Sequence, residues 1–469
     1  MSNSEREEFL SHDHTKPETW EHKFNKILTP FERFVNRTTT GGLLLMTTAA
    51  VALLLANTPL AGWYQNLLHT DFGLQFGPWH IEKTLHHWVN DGLMTLFFFL
   101  VGLELKREIL VGELAEVRKA LLPIVAAVGG MIVPALCYVA LNYGSGDTLR
   151  GWGIPMATDI AFALGVIALL ASRVPKALIT FLVALAIVDD LGAVVVIALF
   201  YTDQLVWQFL IAAGFMTGIL VLLNIVGIRT AAVYFVVGSL LWLVLLKSGV
   251  HATLAGVITA FAIPAKPKFD PELFTFRVKQ LLQKFEHSYT HSADILKNPT
   301  MNGIVHTLES GVQGVQPPLQ RLVHSLHKPV AFMVLPIFAL FNAGVTIDFA
   351  NTSEIISHPV TLGVITGLIF GKFIGIAGAS WLAIRLGWSV LPTDTTMRHI
   401  IGASMLGSIG FTMSIFIAEL AFSHQPDMVV HAKLGILFAS LIAGVCGYLW
   451  LLRIGGEKSA IGSVYELKR

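Results

Sequence analysis

Two adjacent carboxylates, Asp189 and Asp190, interrupt the otherwise apolar stretch LAIVDDLGAVVV. Asp159 and Lys372 also stand inside apolar runs. At the centre of a membrane helix each such charge costs roughly 2.5 to 3.5 kcal/mol, even on the lenient insertion scales. Ionisable residues in such places are therefore expected to pair with one another or to carry out chemistry.

The chemistry open to these four groups is the binding of protons and small cations. Successive residues of a helix point about 100° apart, so Asp189 and Asp190 are expected to face different partners. If Asp189 pairs with Lys372, Asp190 is left to hold a proton or a hard cation, because oxygen ligands favour Na⁺ and Li⁺ over soft metals. Asp159 on an adjacent helix and the Thr158 hydroxyl would help to enclose the ion. A structural ion cluster is the alternative, but three carboxylates face one ammonium.

The composition indicates the surroundings of these groups. Of 469 residues, 54% are hydrophobic and 13% are charged, whereas average proteins carry about 25% charged residues. The mean hydropathy is +0.66. These values are typical of a membrane protein, for which lipid is the main partner. A net charge of +1 argues against a nucleic-acid partner, and two cysteines inside apolar runs exclude a disulfide framework.

Apolar runs long enough to span a bilayer predict an all-α polytopic membrane protein with about 12 transmembrane helices, since each span needs about 20 apolar residues. These runs form a twelve-span domain over residues 41–452, between a cytoplasmic N-terminal segment (1–40) and a cytoplasmic tail (453–469). The runs cover residues 41–57, 91–111, 121–142, 151–171, 176–200, 206–225, 231–246, 249–264, 330–347, 359–384, 399–421 and 432–452.

The charges of the short loops predict the orientation. One side carries most of the Lys and Arg residues, whereas the other holds little beyond Arg150, Lys247 and Lys433. By the positive-inside rule both termini are cytoplasmic. The one long loop, residues 266–328, then forms a cytoplasmic insertion that is polar and rich in His. Within it, FTFRVKQLLQKF has an amphipathic helical pattern that favours a position on the membrane surface or over the cytoplasmic mouth.

The position of each charge along its span predicts its depth. Asp159 lies fourteen residues before Arg173, and Asp190 lies fourteen residues after Lys176. At about 1.5 Å per residue, both acids lie roughly 20 Å from this charged turn. Lys372 is central in its own span. Four ionisable groups are therefore expected near the midplane of the membrane: Asp159, Asp189, Asp190 and Lys372.

Two spans have the composition of interrupted helices. In the fourth, Pro155 precedes a cap-like Thr-Asp pair, which predicts a break over residues 156–159. The eleventh contains Gly402, Ser404, Gly407, Ser408 and Gly410. Discontinuous helices in corresponding positions, spans 4 and 11, predict an inverted repeat with two crossing helices. Asp159 could then neutralise the positive N-termini of the half-helices, and Lys372 their negative C-termini.

Several long motifs resemble the NhaA-type sodium/proton antiporters, from about residue 41 to 452. They are IPMATDIAFALGVIALL, LVALAIVDDLGAVVVIALFYT, LKSGVHATLAGVI, LPIFALFNAGV, GKFIGI and GSIGFTMSIFIAELAF. The resemblance implies a secondary transporter rather than an enzyme. It further implies pH-regulated, electrogenic exchange of Na⁺ or Li⁺ for protons across the bacterial cytoplasmic membrane, a homodimer, and no cofactor besides the transported ions.

The same resemblance implies roles for individual residues. The aspartate pair corresponds to Asp189 and Asp190, with Asp190 the main ion ligand, and Lys372 corresponds to the partner of Asp189 or a proton carrier. Thr158 and Asp159 correspond to residues of the broken fourth helix. Asp91 corresponds to an acidic residue of the cytoplasmic or midplane pathway. Four further residues correspond to positions tied to pH response and ion entry: Glu104, Arg107, Glu108 and His251.

The chain departs from the family pattern at two places. The family motif Arg-Leu-Glu-His is replaced by Arg321, Leu322, Val323 and His324, so an acidic group of the pH response is absent there. The insertion at 266–328 also looks longer than in compact members. Both departures concern the pH threshold and leave the exchange itself unaffected.

Three other kinds of protein place carboxylates inside a membrane. An intramembrane aspartyl protease needs two Asp residues on facing helices and has no use for Lys372. A cation channel would not drive sodium uphill with a proton gradient. A sodium-coupled solute symporter is the closest alternative, but it requires a polar pocket for an organic substrate.

Overall fold

The structure is a computed structural model that describes residues 38–76, 79–171, 173–202, 205–288, 298–346 and 356–466. Most of the predicted N-terminal segment, the loop residues 289–297 with His291, and the end of the tail lie outside these ranges. Most of the described residues are helical. Their apolar side chains form a main core that extends from Leu45 on the first helix to Leu451 on the last, and a small separate cluster of Ala56, Tyr64 and Leu68.

The elements are numbered in chain order. Up to residue 262 they are α1 (Thr38–Ala56), α2 (Ala61–Leu68), β1 (Asp71–Phe76), β2 (Trp79–Thr84), α3 (Leu85–Trp88), α4 (Met94–Val111), α5 (Val117–Asn142), α6 (Ile160–Ala168), α7 (Lys176–Phe200), α8 (Trp207–Ile225), α9 (Ala231–Leu245) and α10 (Leu254–Ala262). The remaining elements are α11 (Pro271–Ser288), α12 (Pro299–Val315), α13 (Pro318–Pro329), α14 (Leu335–Asn342), α15 (Pro359–Thr366), α16 (Phe373–Arg385), α17 (Met397–Gly407), α18 (Phe411–Ala421) and α19 (Pro426–Glu466).

Three π-helical turns join consecutive helices into longer rods: Val89–Leu93, Val330–Val334 and Gly367–Lys372. By length and composition, six of the described helices can cross a membrane, and up to nine can if each bent pair counts as one span. Every one of the twelve apolar runs contains a helix. In the run at 249–264 only α10 is α-helical.

A β-hairpin, which the apolar pattern did not predict, precedes the second spanning helix. Strands β1 and β2 pair antiparallel from Asp71 opposite Thr84 to Phe76 opposite Trp79. The indole of Trp88 donates a hydrogen bond of 2.8 Å to the Phe72 carbonyl and joins the hairpin to α3. We call this end of the helix bundle the hairpin end.

The described part of the 266–328 insertion forms a second hairpin, of helices α11 and α12, at the opposite end of the bundle, which we call the insertion end. The less exposed face of α11 includes Phe274, Val278 and Leu281, and α12 contributes the buried Met301 and Ile304. These faces pack against each other. Helix α12 therefore covers part of the apolar surface of α11, whereas Phe276 and Leu282 are exposed. The position on the membrane surface or over the mouth stays a prediction.

The last helix continues beyond the final span. Its apolar span ends at Ile454, close to the predicted residue 452, and α19 continues as a helix to Glu466, within the predicted tail. Residues 467–469 lie outside the described ranges.

Close packing of α5 against α16 depends on glycine. A Cβ atom on Gly375 would lie 2.2 Å from the carbonyl oxygen of Gly129, whereas one on Gly378 in the same helix would meet nothing within 4 Å. We expect Gly375→Ala to destabilise the protein by about 1 to 3 kcal/mol, because two backbones must separate. Gly378→Ala is the matched control and should be neutral or stabilising, since alanine favours helix. Thermal unfolding in detergent would measure both, and equal midpoints would contradict the packing.

Candidate functional site

The two interrupted helices meet at their breaks. A 3₁₀ helix, Gly146–Met156, precedes α6 with a bend of 42°, and α17 precedes α18 with a bend of 44°. The Thr158 hydroxyl donates to the Gly407 carbonyl at 2.8 Å, and the Asp159 N–H donates to the Ile409 carbonyl at 2.7 Å. Both breaks lie where the sequence predicted them, because small and polar residues replace the apolar pattern there.

Asp159 caps two helices at once. Its Oδ1 accepts a hydrogen bond from the Phe162 N–H at 2.9 Å, in the first turn of α6. Its Oδ2 accepts from the Thr412 N–H at 2.9 Å and the Thr412 hydroxyl at 2.5 Å, in the first turn of α18. The residue is 1% exposed. Since each helix N-terminus carries about half a positive charge, one carboxylate balances the pair.

Lys372 ends the π-helical turn Gly367–Lys372 and is 0% exposed. Its ammonium donates to Asp189 Oδ2 at 2.6 Å and to the Met156 carbonyl, at the C-terminal end of the 3₁₀ helix. It therefore neutralises one carboxylate and one negative helix end. π-Helical turns are frequent at functional sites, because they rotate a side chain relative to the preceding turn.

Asp190 has no such compensation. It is 1% exposed, and among the described residues neither of its carboxylate oxygens has a hydrogen-bond partner. Asp189, Asp159 and Lys372 all interact with it electrostatically. Buried polar groups are nearly always hydrogen-bonded, so an exception of this kind requires an explanation.

The charges of the cluster leave a place for one cation. Asp159 is balanced by two helix N-termini, and Asp189 is balanced by Lys372. The charge of Asp190 is left over, and a buried carboxylate without a partner is costly. A proton or one monovalent cation would remove this cost, and the carboxylate oxygens are suitable ligands for a hard ion.

The residues expected to serve the pH response and ion access do not lie together. Glu104 accepts from His327 at 3.4 Å near the insertion end, where Arg107 also contacts Glu108 at 2.9 Å. Asp91 instead pairs with Lys83 of the hairpin at 2.7 Å, about 20 Å along the helix from Glu104.

His251 lies at the hairpin end as well. Its Nε2 is 2.6 Å from the Tyr201 carbonyl oxygen, and its side chain lines a cavity of about 710 Å³ that also includes Asp91. The structure thus divides the predicted pH-response residues between the two ends of the bundle.

Sequence reasoning missed three polar residues of this region. Thr412 was read as part of an apolar run, although it holds Asp159. Lys433 was counted among the loop charges, and Glu419 was not singled out, whereas their side chains form a largely buried ion pair with a distance of 2.5 Å. A charged residue inside an apolar run, as in IAEL, was the available signal.

An aromatic cluster lies beside the site on its hairpin side. The ring of Phe416 is 5.6 Å from that of Phe98 and 6.3 Å from that of Phe338, and all three side chains are buried. Phe416 follows Thr412 by one helical turn of α18. The cluster therefore stands between Asp159 and the cavity at the hairpin end.

Comparisons with known proteins identify relatives over nearly the whole chain. The sequence model described as Na⁺/H⁺ antiporter 1 matches residues 32–451. The protein named Na(+)/H(+) antiporter NhaA 1 of Saccharophagus degradans is 68% identical over 99% of this chain and 100% of its own length. The protein named Na(+)/H(+) antiporter NhaA of Sulfurimonas denitrificans is 51% identical, over 92% of this chain and 97% of its own.

Proposed function

The chain belongs to the Na⁺/H⁺ antiporter 1 family, and on that premise we propose that it exchanges Na⁺ or Li⁺ for protons electrogenically across the bacterial cytoplasmic membrane. It is a secondary transporter, in which the proton gradient drives sodium out of the cell. Asp190 is the group that binds proton and metal ion alternately.

The observation that carries the proposal is the carboxylate of Asp190, which has no hydrogen-bond partner among the described residues, whereas Asp189 beside it is balanced by Lys372. A proton and a sodium ion each neutralise it, and neither can bind while the other is present. Competition for one group is sufficient for exchange, provided that the group is exposed alternately to the two sides of the membrane. Asp189 and Lys372 supply further titratable groups in contact, so more than one proton can leave for each ion that binds.

Asp159 and Thr158 hold the two interrupted helices together beside this group. Both carboxylate oxygens of Asp159 accept hydrogen bonds from helix N-termini, so its main contribution is to fix the positive half-helix ends. Its remaining lone pairs and the backbone carbonyls of the breaks complete the ligand shell of a dehydrated ion.

The topology proposed for this exchange has twelve spans, with both termini in the cytoplasm. Spans 4 and 11 cross at their breaks as corresponding members of an inverted repeat, and two chains form a homodimer. The contact between residues 158 and 407 supports the crossing. Rocking of one part of the bundle against the other would then expose Asp190 to each side in turn.

We propose that pH regulates access from the insertion end. Glu104 interacts electrostatically with Asp190 and contacts His327, on helix α13 at the C-terminal end of the insertion. Protonation of that imidazole changes the charge next to Glu104, and with it the attraction of cations to this mouth.

Na⁺-driven proton movement in proteoliposomes tests the exchange. Addition of Na⁺ should dissipate an imposed pH gradient, and clamping the voltage with K⁺ and valinomycin should accelerate the response, because net charge moves. Liposomes without protein are the control. A pH gradient that Na⁺ leaves unchanged would refute antiport, whereas a response insensitive to the clamp would refute electrogenic exchange alone.

A further inference from the structure

The cavity at the hairpin end contains a buried ion pair, Glu419 with Lys433, that takes no part in the exchange as proposed above. The cavity measures about 710 Å³ and is lined by Glu419, Lys433, His86, Asp91 and Lys83, among others. Glu419 on α18 accepts a hydrogen bond from Lys433 on α19 at 2.5 Å, with side chains 18% and 10% exposed. Buried pairs of this kind gain little stability after desolvation, so stability alone does not account for them.

Glu419 lies on the face of α18 that also contacts the acid cluster. Thr412, Phe416 and Glu419 are spaced i, i+4 and i+7, which places them on one side of the helix. Thr412 holds Asp159, and seven residues of helix span roughly 10 Å. Along this face Glu419 is therefore the carboxylate that an ion meets between the acid cluster and the cavity.

Phe416 occupies the position between them. Its ring packs with those of Phe98 and Phe338. All three rings are buried. The residues that line the cavity include Glu419 but neither Asp159 nor Asp190.

Lys433 is the positive charge that balances Glu419. His86 is also near, with its Nε2 3.6 Å from the carboxylate and 3.0 Å from the Asn342 side-chain oxygen. Burial lowers the pKa of the His86 imidazole below its usual range. The Glu419 carboxylate acts to raise this pKa, and the Lys433 ammonium lowers it further. The imidazole is therefore neutral at physiological pH.

We infer that Glu419 is an outer relay carboxylate, which receives the alkali cation on its way between Asp190 and the solvent at the hairpin end. Lys433 occupies Glu419 when no cation is there. By competing for the carboxylate, the ammonium keeps the residence of the ion short, so that it is released rather than trapped. The inference rests on the proposed exchange, and it adds a residue to the pathway on one side only.

The test compares the two faces of the membrane, in right-side-out and everted vesicles of cells that express the full chain. The quantity measured is the Na⁺ concentration for half-maximal dissipation of an imposed pH gradient. Glu419→Gln should raise it about tenfold at the face with the hairpin, because a local carboxylate concentrates cations near it. Lys433→Gln should lower it at that face, since the carboxylate is then free. Neither variant should change the value at the other face.

Two further variants separate the relay from simpler effects. Asp427→Asn removes an exposed carboxylate at the same end of the bundle and should leave both faces unchanged. The double variant Glu419→Gln with Lys433→Gln removes both charges, so that no unpaired charge disturbs folding. It should still raise the Na⁺ concentration for half-maximal dissipation at the hairpin face.

Other outcomes overturn the inference. Any of three results would show that the pair is only structural. The half-maximal Na⁺ concentration could shift equally at both faces, it could shift in the same direction in the two single variants, or it could be the same in the double variant as in the unsubstituted protein. Absence of any Na⁺ response in the unsubstituted protein would instead refute the proposed exchange.

Discussion

Asp190→Asn is expected to abolish Na⁺-driven proton movement while the protein still inserts and folds. The amide of Asn carries no charge, so it neither exchanges a proton nor balances a cation in a buried site. Loss of one member of a buried charge pair costs about 3 kcal/mol, which corresponds to about a 100-fold weaker affinity for the ion. The measurement is the Na⁺-induced dissipation of a pH gradient in proteoliposomes, combined with Na⁺ binding by calorimetry in detergent.

Two variants control for this substitution. Asp190→Glu keeps a carboxylate with a longer arm and should retain part of the activity. Glu116→Gln removes a carboxylate that is 60% exposed and paired with Lys119, and it should be fully active. If Asp190→Asn exchanged sodium at the normal rate, Asp190 would not be the ion-binding group.

Lys372→Met is expected to lower the free energy of unfolding by about 3 kcal/mol, because it leaves Asp189 as a buried charge without its partner. At low pH Asp189 takes up a proton and becomes neutral, so the deficit should shrink there. Above the ordinary pH of carboxylate titration the folded variant holds a proton that the unfolded chain does not, and its stability therefore falls as pH rises. Thermal unfolding across pH measures this trend.

A double variant distinguishes the pair from general packing. Lys372→Met with Asp189→Asn removes both charges and should recover much of the lost stability, since no buried ion remains. The Met156 carbonyl would still lack its donor, so recovery should be incomplete. A deficit in Lys372→Met that neither depends on pH nor decreases in the double variant would argue against the ion pair.

Much of the site was accessible from the sequence because charges are rare inside apolar runs. Counting residues to the loops predicted a common depth for Asp159, Asp190 and Lys372. The sequence left open whether Lys372 pairs with Asp189, and the structure has this ion pair. The breaks near Asp159 and Gly407 followed from local composition, since proline, small residues and cap residues replace the apolar pattern there.

Other features could not be read in this way, because they depend on partners distant in the chain. The π-helical turn that rotates Lys372 has no local signature. In the sequence Thr412 resembles any threonine of an apolar helix. Only the structure shows that its hydroxyl donates a hydrogen bond to Asp159. Lys433 looked like a loop charge, because its partner Glu419 lies in a different predicted span.

The sequence by itself determined that this protein is a helical membrane protein with acids and a lysine inside its spans, since the cost of charge in lipid depends only on residue type and on distance from the polar loops. The tertiary structure alone decided which of these charges are balanced. Asp159 is balanced by helix ends and Asp189 by Lys372, whereas Asp190 has no hydrogen-bond partner in the part of the chain that the structure describes. The physical reason is that compensation requires contact within a few ångströms, and helix packing sets these contacts.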